Sequence, residues 1–385
     1  MGKKIEKTAV VIGSFINGFG IWRSLKAVGF TGEIYVINLD QKYSRKSLLK
    51  VCVPQVTEIN QVVDSAESIA GILNGIPGDC KCIFFTSEES IPYVREALRK
   101  HFIKSEIIMF PGEEANLDIL VNKYDFYRFI EKDELANVPK TIDGNENPFS
   151  HFSRFILRPK KSWENEIKTP RVKIIQNIEQ FEDAKKEYAS LGLCDDSWCY
   201  QEILDVDPRS NVSVTGWYDS NFSQLYVNRK IKRHPEDTGI CDVVEDMREY
   251  PDELLQQTRT ILEKLKYSGP FELEFLLDQS SGEYKVIDLN PRYWMQHELI
   301  EKRMNYYMIR RNLGEVDICT ETDFEGYHYW INSNQLIWRL VKGQFGMFKY
   351  LHNAILAPGF FKSIKWIIYL LKEKIKFKMG RIGEK

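Results

Sequence analysis

The sequence predicts a chain of mixed α/β and α+β class, with a parallel α/β layer first, paired antiparallel strands next and a helical, basic tail last. Three observations carry this reading. Strands alternate with helices over roughly the first 110 residues, antiparallel strand candidates cluster between Trp198 and Leu289, and ten Lys/Arg stand against two Glu from Lys342 to Lys385. A length of 385 residues is too great for one ordinary core. Units of about 100–200 residues imply two or three of them.

The N-terminal layer begins with a β-rich run, Thr8 to Ile12, and a glycine-bearing segment from Gly13 to Gly20. A helix-compatible stretch, Ile21 to Val28, follows, with further strands at Glu33 to Leu39 and Cys82 to Thr86. Strands separated by helices argue for a parallel sheet. Two nucleotide motifs are weighed at Gly13 to Gly20. A Walker A loop ends in Gly-Lys-Ser/Thr, whereas this one ends in Gly20-Ile21-Trp22. The dinucleotide fingerprint has a different glycine spacing, although Asp40 stands about where its ribose-binding acid would. What remains is a tight strand-to-helix turn with free amides that can face a substrate anion.

The middle region opens with a helix, Asn122 to Leu135, ended by Pro139. Short strands are predicted at Phe155 to Leu157 and Trp198 to Leu204, with neighbouring antiparallel strands at Val212 to Tyr218 and Leu225 to Lys232. Leu254, Leu255, Thr258, Ile261, Leu262 and Leu265 mark one face of a helix over Pro251 to Leu265. Phe271 to Leu277 and Tyr284 to Leu289 form a strand pair around a turn-rich loop, Asp278 to Gly282. Period-two alternation puts Glu272 and Glu274 on one face of the first strand, and Asp288 and Asn290 on one face of the second. Pairing them gathers carboxylates and an amide oxygen, hard ligands of the kind magnesium takes beside phosphate oxygens. A solvent-facing acidic strand pair would look the same.

Gly269-Pro270-Phe271-Glu272-Leu273-Glu274-Phe275 and Val286-Ile287-Asp288-Leu289-Asn290-Pro291-Arg292 resemble the signature of the ATP-grasp superfamily. In that signature an acid in one strand and acid-x-Asn in the next bind magnesium. The resemblance makes Glu274, Asp288 and Asn290 the metal ligands, with Glu272 as the competitor of Glu274. Asp288 departs from the commoner Glu by one methylene. Other segments resemble the fold in order: Lys123 in Asn122-Lys123-Tyr124-Asp125, where a lysine reaches phosphates, and Arg158 before Pro159, as in carbamoyl-phosphate synthases. Gln201, Glu202 and Leu204 match the hinge that reads adenine, Asp205 or Asp207 the ribose neighbourhood and Lys230 the approach to the terminal phosphate. The loop after Pro159 is glycine-free, which makes Lys160 a candidate phosphate contact and resembles D-aspartate-ligase-like carboxylate–amine ligases. The implied organisation is a pre-ATP-grasp domain over residues 1–112, an ATP-grasp domain of two α+β subdomains over 113–310, and a helical extension over 311–385.

The resemblance implies ATP with Mg, or Mn, as cofactors. It also implies a carboxylate activated as acyl phosphate and displaced by an amine, from small-molecule, glycan or peptide-precursor substrates. Arg158, Lys230 and Arg292 would neutralise developing charge. Arg292 is a candidate bidentate holder of a carboxylate, and His297 a candidate base. Activation of a carboxylate or bicarbonate for another acceptor, and a regulatory nucleotide-binding module, are the alternatives.

Seven scattered cysteines lack paired zinc spacing and point to small core thiols in a reduced, cytoplasmic protein. No stretch of about 18 apolar residues suggests a membrane span, and an acidic body without a recognition motif argues against nucleic acid. The tail carries a local charge of +8, so the remaining 341 residues sum to −10. From Phe360 to Met379 an apolar stripe, Phe360, Ile364, Ile367, Ile368, Leu371, Ile375 and Met379, is predicted opposite Lys362, Lys365, Lys372 and Lys376. That pattern is compatible with peripheral contact with an anionic membrane at its inner face, with a helix docked on its own domain, or with another partner.

Overall fold

The computed structural model describes residues 6–13, 15–39, 46–164, 167–170, 172–207, 209–234 and 240–382. Asp40, considered above as a ribose ligand, lies outside them. The first layer runs β1 (Lys7–Ile12), α1 (Ile16–Ala27), β2 (Ile34–Ile37), α2 (Leu48–Cys52), β3 (Thr57–Ile59), α3 (Ala66–Gly75), β4 (Cys80–Phe85), α4 (Ile91–Arg99) and β5 (Glu106–Met109). Its five strands pair in parallel in the order β3-β2-β1-β4-β5. Both faces are covered, which explains why β1 and β4 read as unbroken buried runs rather than alternating ones. Val10, Ile12, Ile83 and Phe85 pack towards α3 and α4. Ala9, Val11, Cys82 and Phe84 face α1 and the later part of the chain. Because strand order reverses between β1 and β4, a crevice opens beyond their carboxyl ends.

Helix α1 starts at Ile16, five residues earlier than the sequence predicts. Gly18 and Gly20 look like breakers, yet both are helical. Gly20 is there for close approach: a Cβ would lie 2.5 Å from His297 Cε1 and 2.8 Å from Glu298 Cγ. The turn reading survives only at Gly13, whose φ of +95° is free for glycine. A Cβ there would also strike Thr86 Oγ1 at 2.1 Å.

The second layer comprises α5 (Leu117–Val121), α6 (Lys123–Lys132), β6 (Thr141–Asp143), β7 (Phe155–Pro159), β8 (Trp163–Glu164), β9 (Ile167–Lys168), β10 (Lys173–Ile175), α7 (Ile178–Ser190) and β11 (Trp198–Gln201). Strands β10-β7-β11-β6 form an antiparallel sheet, and β8 and β9 a small hairpin where the glycine-free loop was expected. The third layer follows with β12 (Asn211–Tyr218), β13 (Ser223–His234), β14 (Ile240–Asp246), α8 (Asp252–Lys264), β15 (Gly269–Asp278) and β16 (Glu283–Asn290). After α9 (Glu298–Glu301) and α10 (Tyr307–Asn312) come β17 (Tyr329–Asn332), α11 (Ser333–Val341), β18 (Ala354–Ala357) and α12 (Phe360–Ile382). The large sheet has seven strands in the order β16-β15-β12-β13-β14-β17-β18. Residues 311–385, expected as a helical extension, therefore also supply two strands of this sheet.

One hydrophobic cluster joins the first and third layers, with Trp217, Trp294, Ile300, Met308 and Trp330 all fully buried beside Val11, Phe19 and Phe84. That shared core fixes the β1–β4 crevice against the end of β16. Five cysteines are buried, Cys194 and Cys319 are exposed, and all seven are free. Among the described residues no helix is long and apolar enough to cross a membrane.

Candidate active site

The site grows from the register of β15 with β16. Glu272 stands opposite Asn290 and Glu274 opposite Asp288, so alternation puts all four on one face. A register shift between Glu274 and Phe275 leaves Ile287 as the extra residue of a bulge. Its carbonyl is freed from the ladder and accepts from Arg158 at 2.9 Å and from the Tyr127 hydroxyl. Arg158, at the end of β7, is thereby held over the large sheet, with a terminal nitrogen 3.7 Å from Asp288. Lys123, the first residue of α6, donates to Asp288 at 2.8 Å. The Asn122 side chain caps that helix, accepting from the backbone of Tyr124 and Asp125, and so fixes where Lys123 starts.

Lys230 on β13 reaches across the neighbouring strands. Its ammonium lies 2.6 Å from Glu274 and 3.3 Å from Glu272, with all three side chains mostly withdrawn from solvent. Burial alone would lower the Lys230 pKa, but the two carboxylates override it and hold the lysine firmly charged. Burial pushes Glu274 up, yet Lys230 pulls it down to about 2. Glu272 goes the other way: burial dominates and its pKa is raised. Glu272 also accepts from Ser213 at 3.2 Å, Asn290 at 3.2 Å and Gln296 at 2.9 Å. Three neutral donors thus share Glu272 with Lys230, whereas Glu274 faces Lys230 and the Asn290 amide.

Arg292 links this cluster to the first layer. It donates to the Asn290 carbonyl oxygen at 2.8 Å and to Glu88 at 2.7 Å. Glu88 follows β4 at the mouth of the β1–β4 crevice and also accepts from Ser162 at 2.8 Å. Burial opposes its ionisation, but Arg292 and Lys123 win and bring the carboxyl down to about 2. Asn17, in the first turn of α1, donates to the carbonyls of Thr86 and Tyr293, both at 2.9 Å. Sequence reasoning missed Glu88 and Asn17. A carboxylate two residues past a predicted parallel strand was the available signal for Glu88; Asn17 had none.

The remaining sequence candidates are placed as follows. Gln201 closes β11 and lies 3.5 Å from Arg158 while donating to Thr141 at 3.2 Å. Glu202 continues that edge, accepting from the Lys140 amide at 2.9 Å and from Lys285 at 2.7 Å. Lys285, on β16, ties the two sheets together there and was not anticipated. Leu204 is half-buried in the connection after β11. Asp207 is exposed and accepts from the Arg209 amide at 2.7 Å, stabilising its own turn. Lys160 points to Asp143 at 2.6 Å and over the Tyr124 ring at 5.0 Å.

His297 stands apart from the group and corrects the expectation of a base. It is fully buried, its Nδ1 lies 2.9 Å from the Trp294 carbonyl, and its ring packs against Gly20 of α1. Burial lowers its pKa. The ring is enclosed in the core between the layers, which counts against a role as base.

The donor chemistry of Glu274, Asp288 and Asn290 fits a hard divalent cation. Asn290 presents its amide nitrogen to both glutamates and its oxygen to Arg292. A half-turn of that amide would present the oxygen to the carboxylates, and amide orientation is assigned from such networks. Among the described residues, no group of three or more His, Cys, Asp or Glu side chains forms a metal cluster by itself.

Residues 244–313, which contain Glu274, Asp288, Asn290 and Arg292, match the family model described as carbamoyl-phosphate synthase L chain, ATP binding domain. The chain is also similar to solved structures. For an N5-carboxyaminoimidazole ribonucleotide synthetase in complex with ADP, the TM-score is 0.64 at 14% identity, covering 88% of this chain and 85% of that one. For biotin carboxylase from Campylobacter jejuni the TM-score is 0.57 at 15% identity, covering 82% and 73%. For an L-amino acid ligase from Bacillus licheniformis it is 0.57 at 11% identity, covering 81% and 74%. The comparison with curated proteins gives no match. The mixed α/β architecture is shared with these structures, so the resemblance carried by the motifs holds at the level of the fold.

Proposed function

We propose that this ATP-grasp fold serves an ATP-dependent carboxylate–amine ligase that activates its carboxylate substrate as an acyl phosphate. The observation that carries the reading is the convergence of Lys123, Arg158, Lys230 and Arg292 on Glu272, Glu274, Asp288 and Asn290 between two sheets. Such a cluster suits phosphoryl transfer, where stabilising charge matters more than a covalent protein nucleophile. The similar synthetase and amino acid ligase structures support the ligase class through their shared fold.

Magnesium held by Glu274, Asp288 and Asn290 would neutralise phosphate charge and polarise the phosphoryl group. Glu272, held by Ser213, Gln296, Asn290 and Lys230, fits a positioning role for Asn290 better than a ligand role. Arg158 and Lys123 would meet the inner phosphates, and the Gln201–Glu202 segment would lie beside the adenine. Lys230 would follow the transferred phosphoryl group, stabilising charge as it develops on the oxygens. Arg292, shared between Asn290 and Glu88, stands at the mouth of the β1–β4 crevice and would hold the substrate carboxylate there. The crevice beyond Gly13 and Thr86 then receives the rest of that substrate.

The test is ADP release across a panel of carboxylates and amines, with Glu274→Ala and Asn290→Ala run beside the parent. ADP appearing only when both substrates are present, and dropping at least a hundredfold in both variants, is the expected result. Undiminished release in the variants would remove the site assignment, and release without an amine would redirect the reading to another acceptor.

A further inference from the structure

Helix α12 separates the three readings of the tail. One of its faces is docked: Ser363 and Ile367 are buried, and the Ser363 hydroxyl lies 2.7 Å from that of Ser333 on α11. Lys362 belongs to this docking, its ammonium 4.2 Å from the Phe19 ring centre and 4.5 Å from that of Trp22. A second apolar stripe is left open. Phe361, Ile368, Leu371 and Ile375 are exposed at 84%, 47%, 46% and 57%. Their spacing of seven, three and four residues keeps them within about 80° on a helix of 3.6 residues per turn. The predicted stripe therefore splits: Ile367 goes to the core, Ile364 is half-buried, and Phe360, Ile368, Leu371 and Ile375 face outwards, while the Met379 side chain lies outside those described.

The chemistry beside the open stripe identifies its occupant. Lys365 and Lys372, both exposed, flank it at about 20–40° from its Phe361 edge on the same helical projection. Close by in sequence, the turn after α11 exposes Val341 at 74% and Phe345 at 64%, next to exposed Lys342. A protein partner's core would exclude these lysines, whereas a lipid interface accepts apolar side chains below the headgroups and lysines among them. The charge pattern agrees, with +8 over residues 342–385 against −10 over the rest. We infer that α12 and the α11 turn dock the protein onto an anionic membrane surface, through the Phe361–Ile375 stripe and its flanking lysines. This is independent of the ligase reading.

The experiment is co-sedimentation of the full chain with phosphatidylcholine vesicles, with and without about one-third phosphatidylserine, at low and high salt. Binding at least tenfold stronger to the anionic vesicles and weakened by salt is expected. Leu371→Glu/Ile375→Glu and, separately, Lys365→Glu/Lys372→Glu should each lower it at least tenfold, while thermal unfolding and nucleotide binding stay unchanged because these side chains are exposed. Full recovery in the supernatant with anionic vesicles at low salt would overturn the inference. So would a concentration-dependent dimer in sedimentation velocity that is lost in Leu371→Glu/Ile375→Glu while vesicle binding is absent.

Discussion

At the scale of single residues, Lys230 is the position on which the cluster depends. Removing a buried cation strands the carboxylates around it, which costs about 3–5 kcal/mol where one partner of a buried pair is deleted. Lys230→Met is therefore expected to lower the urea midpoint of unfolding substantially. Adding Glu272→Gln should restore part of the loss, because Glu272 is the carboxyl that burial already pushes towards its neutral form. A midpoint in Lys230→Met equal to the parent's would show that the lysine does not neutralise the pair. Glu301 makes a contrasting case. It is 1% exposed, neither side-chain oxygen has a partner among the described residues, and burial drives its carboxyl well above the usual value of 4.5. A raised carboxyl favours the folded state below about pH 4.5 and loses that advantage as pH rises through the folded value. Glu301→Gln should accordingly be more stable than the parent at pH 8 by about 1 kcal/mol, with the difference shrinking towards pH 4. Thermal unfolding at both pH values checks this.

At the scale of elements, the contact of α1 with α9 rests on the missing side chain of Gly20. Alanine in a helix interior gains about 1 kcal/mol over glycine. At Gly20 that gain is outweighed, since the methyl would sit inside the contact radius of His297 and Glu298, and overpacking costs about 1–3 kcal/mol. Gly20→Ala should destabilise the protein while Gly18→Ala, whose Cβ would first meet Val11 at 3.4 Å, should be near neutral. Equal denaturation midpoints for the two variants would contradict the packing argument. The same helix shows why the sequence was only partly readable. Gly18 and Gly20 resemble a turn locally, and the close partner that explains Gly20 lies some 280 positions away. Strands β17 and β18 were invisible for a related reason: four residues each, they are defined by pairing with β14 and with one another rather than by a long periodic pattern. In contrast, β15 and β16 are long and alternate cleanly around a tight turn, so the face shared by Glu272, Glu274, Asp288 and Asn290 could be read directly. The bulge at Ile287 could not, and it is what fastens Arg158 in place.

At the scale of the whole molecule, Glu88 and Arg292 join the parallel layer to the large sheet, so acid weakens a joint as well as a residue. Glu88 and Glu274 both titrate near 2 in the fold, against about 4.5 for an ordinary glutamate. Their stabilising contribution is complete above about pH 5 and lost as pH falls from 4.5 towards 2. The parent should therefore lose stability more steeply than Glu88→Gln between pH 5 and pH 3, as read from urea midpoints. Parallel losses in the two proteins would show that the joint contributes nothing to acid sensitivity.

The pairing of Lys123, Arg158, Lys230 and Arg292 with Glu88, Glu272, Glu274 and Asp288 has a consequence for selectivity. With most of its own charges paired, the cleft would present little attraction to a stray polyanion such as free phosphate. A phosphate can bind only by trading places with a resident carboxylate, and that carboxylate then needs a new counter-charge. On the ligase reading, a nucleotide arriving together with a divalent cation would bring both halves of the exchange at once, so either component alone is expected to bind weakly.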